Sequence, residues 1–393
     1  MGQPEQVIIV GGGIIGLGTA LELRRRGLRV RVYDPEPASG ASRAAAGMLA
    51  PVAEVVWDQP GLYPLMVESG RIYPEFVEAI AGESGATDPA EVGYLPMETL
   101  VCAGDAADRR TLAELMELQH ELDMEVSLLS AREARRREPE LGPGVVGAVH
   151  IPGDHQVNPR RLTAAMLRAL GEDVHRARVR GLHWEEGRVA GVFLKGEEAP
   201  VRADHVLLAA GLGCAGIEGL PSELSLPVRP VFGEVLRLRA PEGRVPLARH
   251  VIRGIVRGRP VYVVPRSDEE VVLGATTRED EREGVVVEGV YQLLRDASRL
   301  VPAVLDCELT EAIARARPGS PDDVPMIGRV AEGLSVSTGY FRHGILLAAL
   351  GARLGANAVC GTPMPENTAR AVDPWRFSEH GAYADHTQQN TQL

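Results

Sequence analysis

Four cysteines in 393 residues are too few and too scattered for the frameworks that cysteine builds. Cys102, Cys214, Cys307 and Cys360 form no C-x-x-C pair and have no histidine at zinc-finger spacing, which argues against a disulfide scaffold and a structural metal site. The expectation is four reduced thiols and no metal. Basic charge is also short: 42 Lys and Arg face 54 Asp and Glu, a net charge of −12, leaving no surplus for nucleic acid or an anionic membrane. Long apolar runs are missing too. Val7 to Leu21, the longest, is broken by five glycines and is too short to span a bilayer. The residues before it carry Glu5 and no Lys or Arg, so the positive start of a secretory signal is lacking. Position 6 is not the Ser or Thr of a myristoylation site. Together these absences point to a cytoplasmic protein without nucleic-acid or membrane partners.

What is present is a large apolar fraction, 45%, enough to bury more than one core and to favour two or three domains. Residues 6–34, QVIIVGGGIIGLGTALELRRRGLRVRVYD, read as strand, glycine turn, helix and strand. Val7 to Val10 suit a buried parallel strand. Gly11 to Gly16 match G-x-G-x-x-G. Arg24, Arg25 and Arg26 complement the helix C-terminal dipole before Gly27 ends the helix. Asp34 follows Gly16 at the spacing of a ribose-binding acid. In this pattern Gly11 permits the tight turn, Gly13 lets a pyrophosphate approach the helix N-terminus, and Gly16 lets helix and strand pack closely. The turn indicates a dinucleotide, either FAD or NAD.

Further on, helices are expected over Glu68–Gly82, Asp105–Asp123, a short capped helix after Ser130, Asn158–Leu170 and Gly289–Leu300. A hairpin is expected after Val179, and strands dominate 229–277, including RPVFGEVLRLRA, PVYVVPR and EVVLGATT. A strand at LSVSTGY and a helix through GILLAALGARLGANAVCG complete the core. The fold class is an α/β, Rossmann-like dinucleotide domain, discontinuous in sequence, with an α+β substrate domain on an antiparallel sheet. The expected division is 1–85, 149–225 and 312–375 for the first, 86–148 and 226–311 for the second. Residues 376–393, polar at the end, read as a disordered tail.

SRAAAGMLAP at 42–51, VYVVPR, RARPGSPDDVPMIGR and GYFRHGILLA, taken with GGGIIG and Asp34, resemble the FAD-dependent glycine oxidases of thiamine biosynthesis, within the D-amino-acid and sarcosine oxidase family. The resemblance runs from residue 7 to about 360. It implies non-covalent FAD, with Gly11, Gly13, Ile14, Ile15 and Gly16 at the pyrophosphate, Asp34 and Pro35 at the ribose, and Val174 at the adenine. It implies that Ser42, Arg43, Gly47, Met48 and Leu49 line the flavin, small side chains letting main-chain N–H groups approach. Tyr340, Phe341, Arg342, His343, Gly344, Ile345 and Leu346 would flank the ring at the start of the last helix. Arg317 would clamp a substrate carboxylate, assisted by Arg342 and Tyr262. No catalytic side chain is implied, flavin N5 being the hydride acceptor.

The implied reaction converts glycine, and possible relatives sarcosine and D-alanine, to the imine or 2-oxo acid with ammonia and hydrogen peroxide, dioxygen being the second substrate. A homotetramer is implied as well. Arg315, the GLGC run at 211–214 and His343 depart from the family's usual glycine, tryptophan and asparagine, and His343 reads as a neutral structural histidine or as one that tunes the flavin potential. The residues leave open an oxidase or dehydrogenase of the same family with another substrate, and a non-catalytic FAD-binding subunit.

Overall fold

A computed structural model describes residues 4–57 and 59–378; most of the expected tail, 379–393, lies outside them. The chain folds into two compact units, one formed by residues 1–39, 166–230 and 317–393 and the other by 40–165 and 231–316. The first is an α/β unit and the second is built on a largely antiparallel sheet.

In the first unit a six-stranded sheet runs in the order Met326–Ala331, Leu334–Thr338, His205–Leu208, Gln6–Val10, Arg29–Tyr33 and Val174–His175. All neighbours are parallel except the first pair. Val7 sits opposite both Val30 and His205, so the strand that feeds the glycine turn lies inside the sheet, where an uninterrupted apolar run belongs. Helices Ile14–Arg25 and Ala348–Cys360 pack against one another. Arg24 does more than complement a dipole: it donates to the Ala169 carbonyl at 2.7 Å, while Arg26 reaches Asn357 at 2.8 Å. The expected hairpin pairs Val179–Glu185 with Arg188–Leu194 across Glu186-Gly187, both at positive φ, as a primed two-residue turn requires. Ile8, Val10, Val206, Leu208, Leu334 and Val336 form its core with that hairpin.

In the second unit an eight-stranded sheet follows the order Glu308–Gly319, Arg229–Arg239, Glu270–Gly274, Arg259–Pro265, Val251–Val256, Thr99–Ala103, Gly147–Ile151 and Ser127–Ser130. Leu100, Ile252, Val263, Leu273 and Leu300 are buried in one cluster beneath helix Val287–Leu300. Ser130 and Glu133 form the expected capping box, and Asp105 caps helix Ala106–Glu121. A small sheet joins Met48–Leu49 to His155–Val157 and Tyr94–Leu95. That pairing carries 40–85 and 149–165 into the second unit, whereas the sequence division puts them with the dinucleotide half. Among the described residues no helix is long and apolar enough to cross a membrane.

Candidate cofactor and substrate site

The first unit builds the glycine turn through backbone constraint. Gly11 has φ +114°, its N–H donates to the Tyr33 carbonyl at 2.9 Å, and a Cβ there would run into the backbone of Ala209. Only glycine meets both demands. Gly13 caps the helix with no side-chain bond, and the first turn carries no acid, so no negative charge opposes an anion at the positive end of the helix dipole. Ile14 and Ile15 are buried there. Half-buried Asp34 accepts from Gly12 N–H at 2.7 Å and from Glu36 N–H at 2.8 Å, one bond on each oxygen. A carboxylate oxygen has a second acceptor site, so Asp34 can brace the turn and still take ribose hydroxyls. Its own N–H donates to the His175 carbonyl at 3.1 Å, beside Val174, which pairs with Val32 at the sheet edge. Pro35 is exposed.

The same unit brings the end of the long strand Glu308–Gly319 to the GYFRHGILL segment, because Gly319 bridges Tyr340. Arg317, two residues earlier, is half-buried, and Arg315 is exposed with Nη1 donating to its neighbour's carbonyl at 2.9 Å. Tyr340 is buried and its hydroxyl lies 2.8 Å from that of Ser337; burial pushes the phenol well above its ordinary pKa. Phe341 has φ +47°, a left-handed geometry that a bulky residue rarely takes. Arg342 is exposed, its guanidinium 5.5 Å from the Phe341 ring centroid. His343 is 1% exposed, and its N–H donates to the Tyr340 carbonyl at 3.0 Å. Contrary to expectation, residues 340–346 do not open the helix. Phe341–His343 form a 3-10 turn and the helix starts at Ala348; positive φ keeps Phe341 itself out of any α-helix. Gly344, Ile345 and Leu346 continue that turn, the last two buried.

The second unit holds the alanine-rich segment. Ser42 is half-buried within the short helix Ala41–Ala44, and Arg43 is exposed and pairs with Glu311 at 3.8 Å. Gly47 has φ +80°, and a Cβ would overlap the Val157 carbonyl. Met48 and Leu49 pair with Gln156 and His155. Ala46 and Gly47 are buried, yet among the described residues neither N–H meets an acceptor. Two such donors are costly unless something else accepts from them. Tyr262, half-buried on Arg259–Pro265, sits opposite Arg253 and Gly274.

Three residues here escaped the reading of the sequence. Buried Arg266 donates to the Ala46 carbonyl at 2.6 Å, to the Val157 carbonyl at 3.1 Å and to Gln156 Oε1 at 2.5 Å. Gln156 returns a bond to the Pro265 carbonyl at 2.6 Å. Arg237, 1% exposed, donates to the Arg43 carbonyl at 3.3 Å and pairs with Glu270 at 2.7 Å. The available signal was an arginine ending the apolar strand VYVVPR, which must find partners if it is buried.

In the first unit a glycine turn with its acid suits a dinucleotide, and in the second two orphaned amides of buried residues lie beside a segment of small side chains. No group of three or more metal-ligating side chains occurs among the described residues. A family model described as "FAD dependent oxidoreductase" matches residues 6–358. The chain belongs to the FAD dependent oxidoreductase family. This family is FAD-dependent, so the glycine turn's choice between FAD and NAD is decided for FAD. Among relatives of this oxidoreductase, glycine oxidase of Geobacillus kaustophilus is 31% identical over 95% of this chain and 97% of its own. The crystal structure of that organism's glycine oxidase superposes with a TM-score of 0.81 at 30% identity, covering 93% of this chain and 96% of the other. The bifunctional protein ThiO/ThiG of Trichormus variabilis is 32% identical over 90% of this chain. The chain spans about half the length of that relative, 52%.

Proposed function

We propose that this protein is a glycine oxidase. It converts glycine, dioxygen and water to glyoxylate, ammonia and hydrogen peroxide, and serves thiamine thiazole synthesis. The observation that carries the reading is the match to a solved glycine oxidase over nearly the whole of both chains; Arg317, Arg342 and Tyr262 are the residues proposed for its substrate.

Bound FAD supplies the two-electron acceptor for amine oxidation and the route to dioxygen. In the first unit, Gly11, Gly13, Ile14, Ile15 and Gly16 hold the pyrophosphate, and Asp34 and Pro35 the ribose. Val174 faces the adenine, and Tyr340, Phe341, Arg342, His343, Gly344, Ile345 and Leu346 flank the ring. In the second, Ser42, Arg43, Gly47, Met48 and Leu49 line it. Attachment is non-covalent. Arg317 takes the substrate carboxylate as a planar fork, with Tyr262 and Arg342 as further donors. Holding the carboxylate fixes the direction of the α C–H, so orientation supplies the catalysis and no protein base is needed. A small amino-acid substrate, no metal, a cytoplasmic setting and a homotetramer complete the proposal.

Anaerobic mixing with glycine, sarcosine and D-alanine tests it. Glycine should bleach the flavin absorbance, and air should then release peroxide. Bleaching by another amine but not glycine would place the protein with a different substrate, and a colourless purified protein would remove the oxidase reading.

A further inference from the structure

Five carbonyls of the segment 40–47 accept hydrogen bonds within its own unit. Gly40 accepts from Arg43 N–H and Ala41 from Ala45 N–H. The Arg43 carbonyl takes Arg160 Nε at 3.0 Å and Arg237, the Ala46 carbonyl takes Arg266, and the Gly47 carbonyl takes Val157 N–H at 2.8 Å. The amides of Ala46 and Gly47, both buried residues, meet no acceptor among the described residues. A peptide group is planar, so fixing its carbonyl fixes the direction of the N–H across the same bond. Arg266 holds the carbonyl of Ala46, which belongs to the same peptide plane as Gly47 N–H.

The charges here do not cancel. Arg43, Arg160, Arg237 and Arg266 surround Glu270 and Glu311, which lie within 4 Å of them in shared pairs. Two of the four guanidiniums are almost fully buried. Burial lowers the Arg266 guanidinium to about 10, which leaves it charged at neutral pH. Burying a charge is expensive, and a hydrophobic side chain would fill the same space, so the retained arginines need a reason in what they hold.

We propose that Arg266, with Arg237 beside it, is a positioning residue for the cofactor. It pins the Ala46 carbonyl so that the Gly47 amide in the same peptide plane is presented, ready-made, as a donor to FAD. The inference rests on the reading of this segment as the flavin-lining one. It makes the opening residues of that segment passive, and assigns their geometry to an arginine 220 positions away in sequence.

The test is FAD titration of apoprotein. Arg266→Lys keeps the charge but cannot fork to three acceptors, and should weaken FAD binding by about tenfold, the loss of one charge-assisted bond. Arg266→Met should weaken it further. Arg259→Met, which strips a partner from buried Asp296 without touching the segment, should lower the melting temperature and leave FAD affinity unchanged. Should the Arg266 variants not fold, hydrogen exchange on the unaltered protein decides: the Gly47 amide should gain protection when FAD is added. Equal FAD affinity in Arg266→Lys and Arg266→Met, a matching loss in Arg259→Met, or an unprotected Gly47 amide in the holoenzyme would each overturn the inference while the flavoprotein reading stands. Failure of the unaltered apoprotein to take up FAD would overturn both.

Discussion

At the scale of single residues, the clamp and the buried acids give separable expectations. Arg317→Leu would leave a substrate carboxylate unpaired and should weaken glycine and glycolate together by about 3 kcal/mol, roughly a hundredfold. Arg317→Lys should recover part of this, because an ammonium lacks the planar fork. Flavin spectra should not change, and unaltered glycolate binding in Arg317→Leu would move the clamp elsewhere. Asp154 offers a different handle. It is fully buried and accepts from Val52 and Ala53 N–H at 3.1 and 3.0 Å, yet burial outweighs those bonds and nearby Arg253 and lifts its carboxyl to about 7. In the unfolded chain an aspartate titrates near ~3.9. Between those values the folded state holds the proton and the unfolded state does not, so this contribution is complete below the lower value and is lost as pH rises through the upper one. His205 has the opposite sign: burial, chiefly, lowers it to about 3, so its contribution is present above the ordinary histidine value and fades as pH falls. Denaturant unfolding of Asp154→Asn against the parent should therefore show a stability difference that changes between about pH 4 and pH 7 and is flat above. A flat difference throughout would show Asp154 ionising normally.

At the scale of elements, Gly47 is the position where chain geometry and the proposed cofactor contact coincide. Gly47→Ala must relieve positive φ and an overlap with the Val157 carbonyl, and should destabilise the apoprotein by about 1–3 kcal/mol while abolishing tight FAD binding. Thermal melts and FAD titration check the two effects separately. Elements were legible in the sequence wherever their determinants are local. The glycine turn, the capping box at Ser130 and the hairpin turn at Glu186-Gly187 each depend on residues a few positions apart. The eight-stranded sheet is different: Thr99–Ala103 pairs with Val251–Val256, and no local pattern announces a partner so distant. The same limit hid Arg266 and Gln156, which are close to the alanine-rich segment only after folding. Phe341 shows a third case. Its positive φ keeps it out of any helix, and the apolar run that reads as continuous helix from Gly344 becomes helical only at Ala348.

At the scale of the whole molecule, ligand linkage gives the broadest expectation. A cofactor bound only by the folded state should raise the melting temperature with its concentration, by about 2.7 kcal/mol of stabilisation when free FAD is a hundred times its dissociation constant. Added NAD should have no such effect; an equal shift with NAD would contradict the FAD assignment. The order of strands in the α/β unit has its own consequence for biosynthesis. His205–Leu208 lies between Gln6–Val10 and Leu334–Thr338, and Val206, Leu207 and Leu208 are all 0% exposed in the finished protein. On the ribosome its neighbour is made more than a hundred residues later. A nascent chain therefore carries an apolar, unpaired strand edge for several seconds of translation, at roughly 5–20 residues per second, and that interval is when a chaperone would be needed.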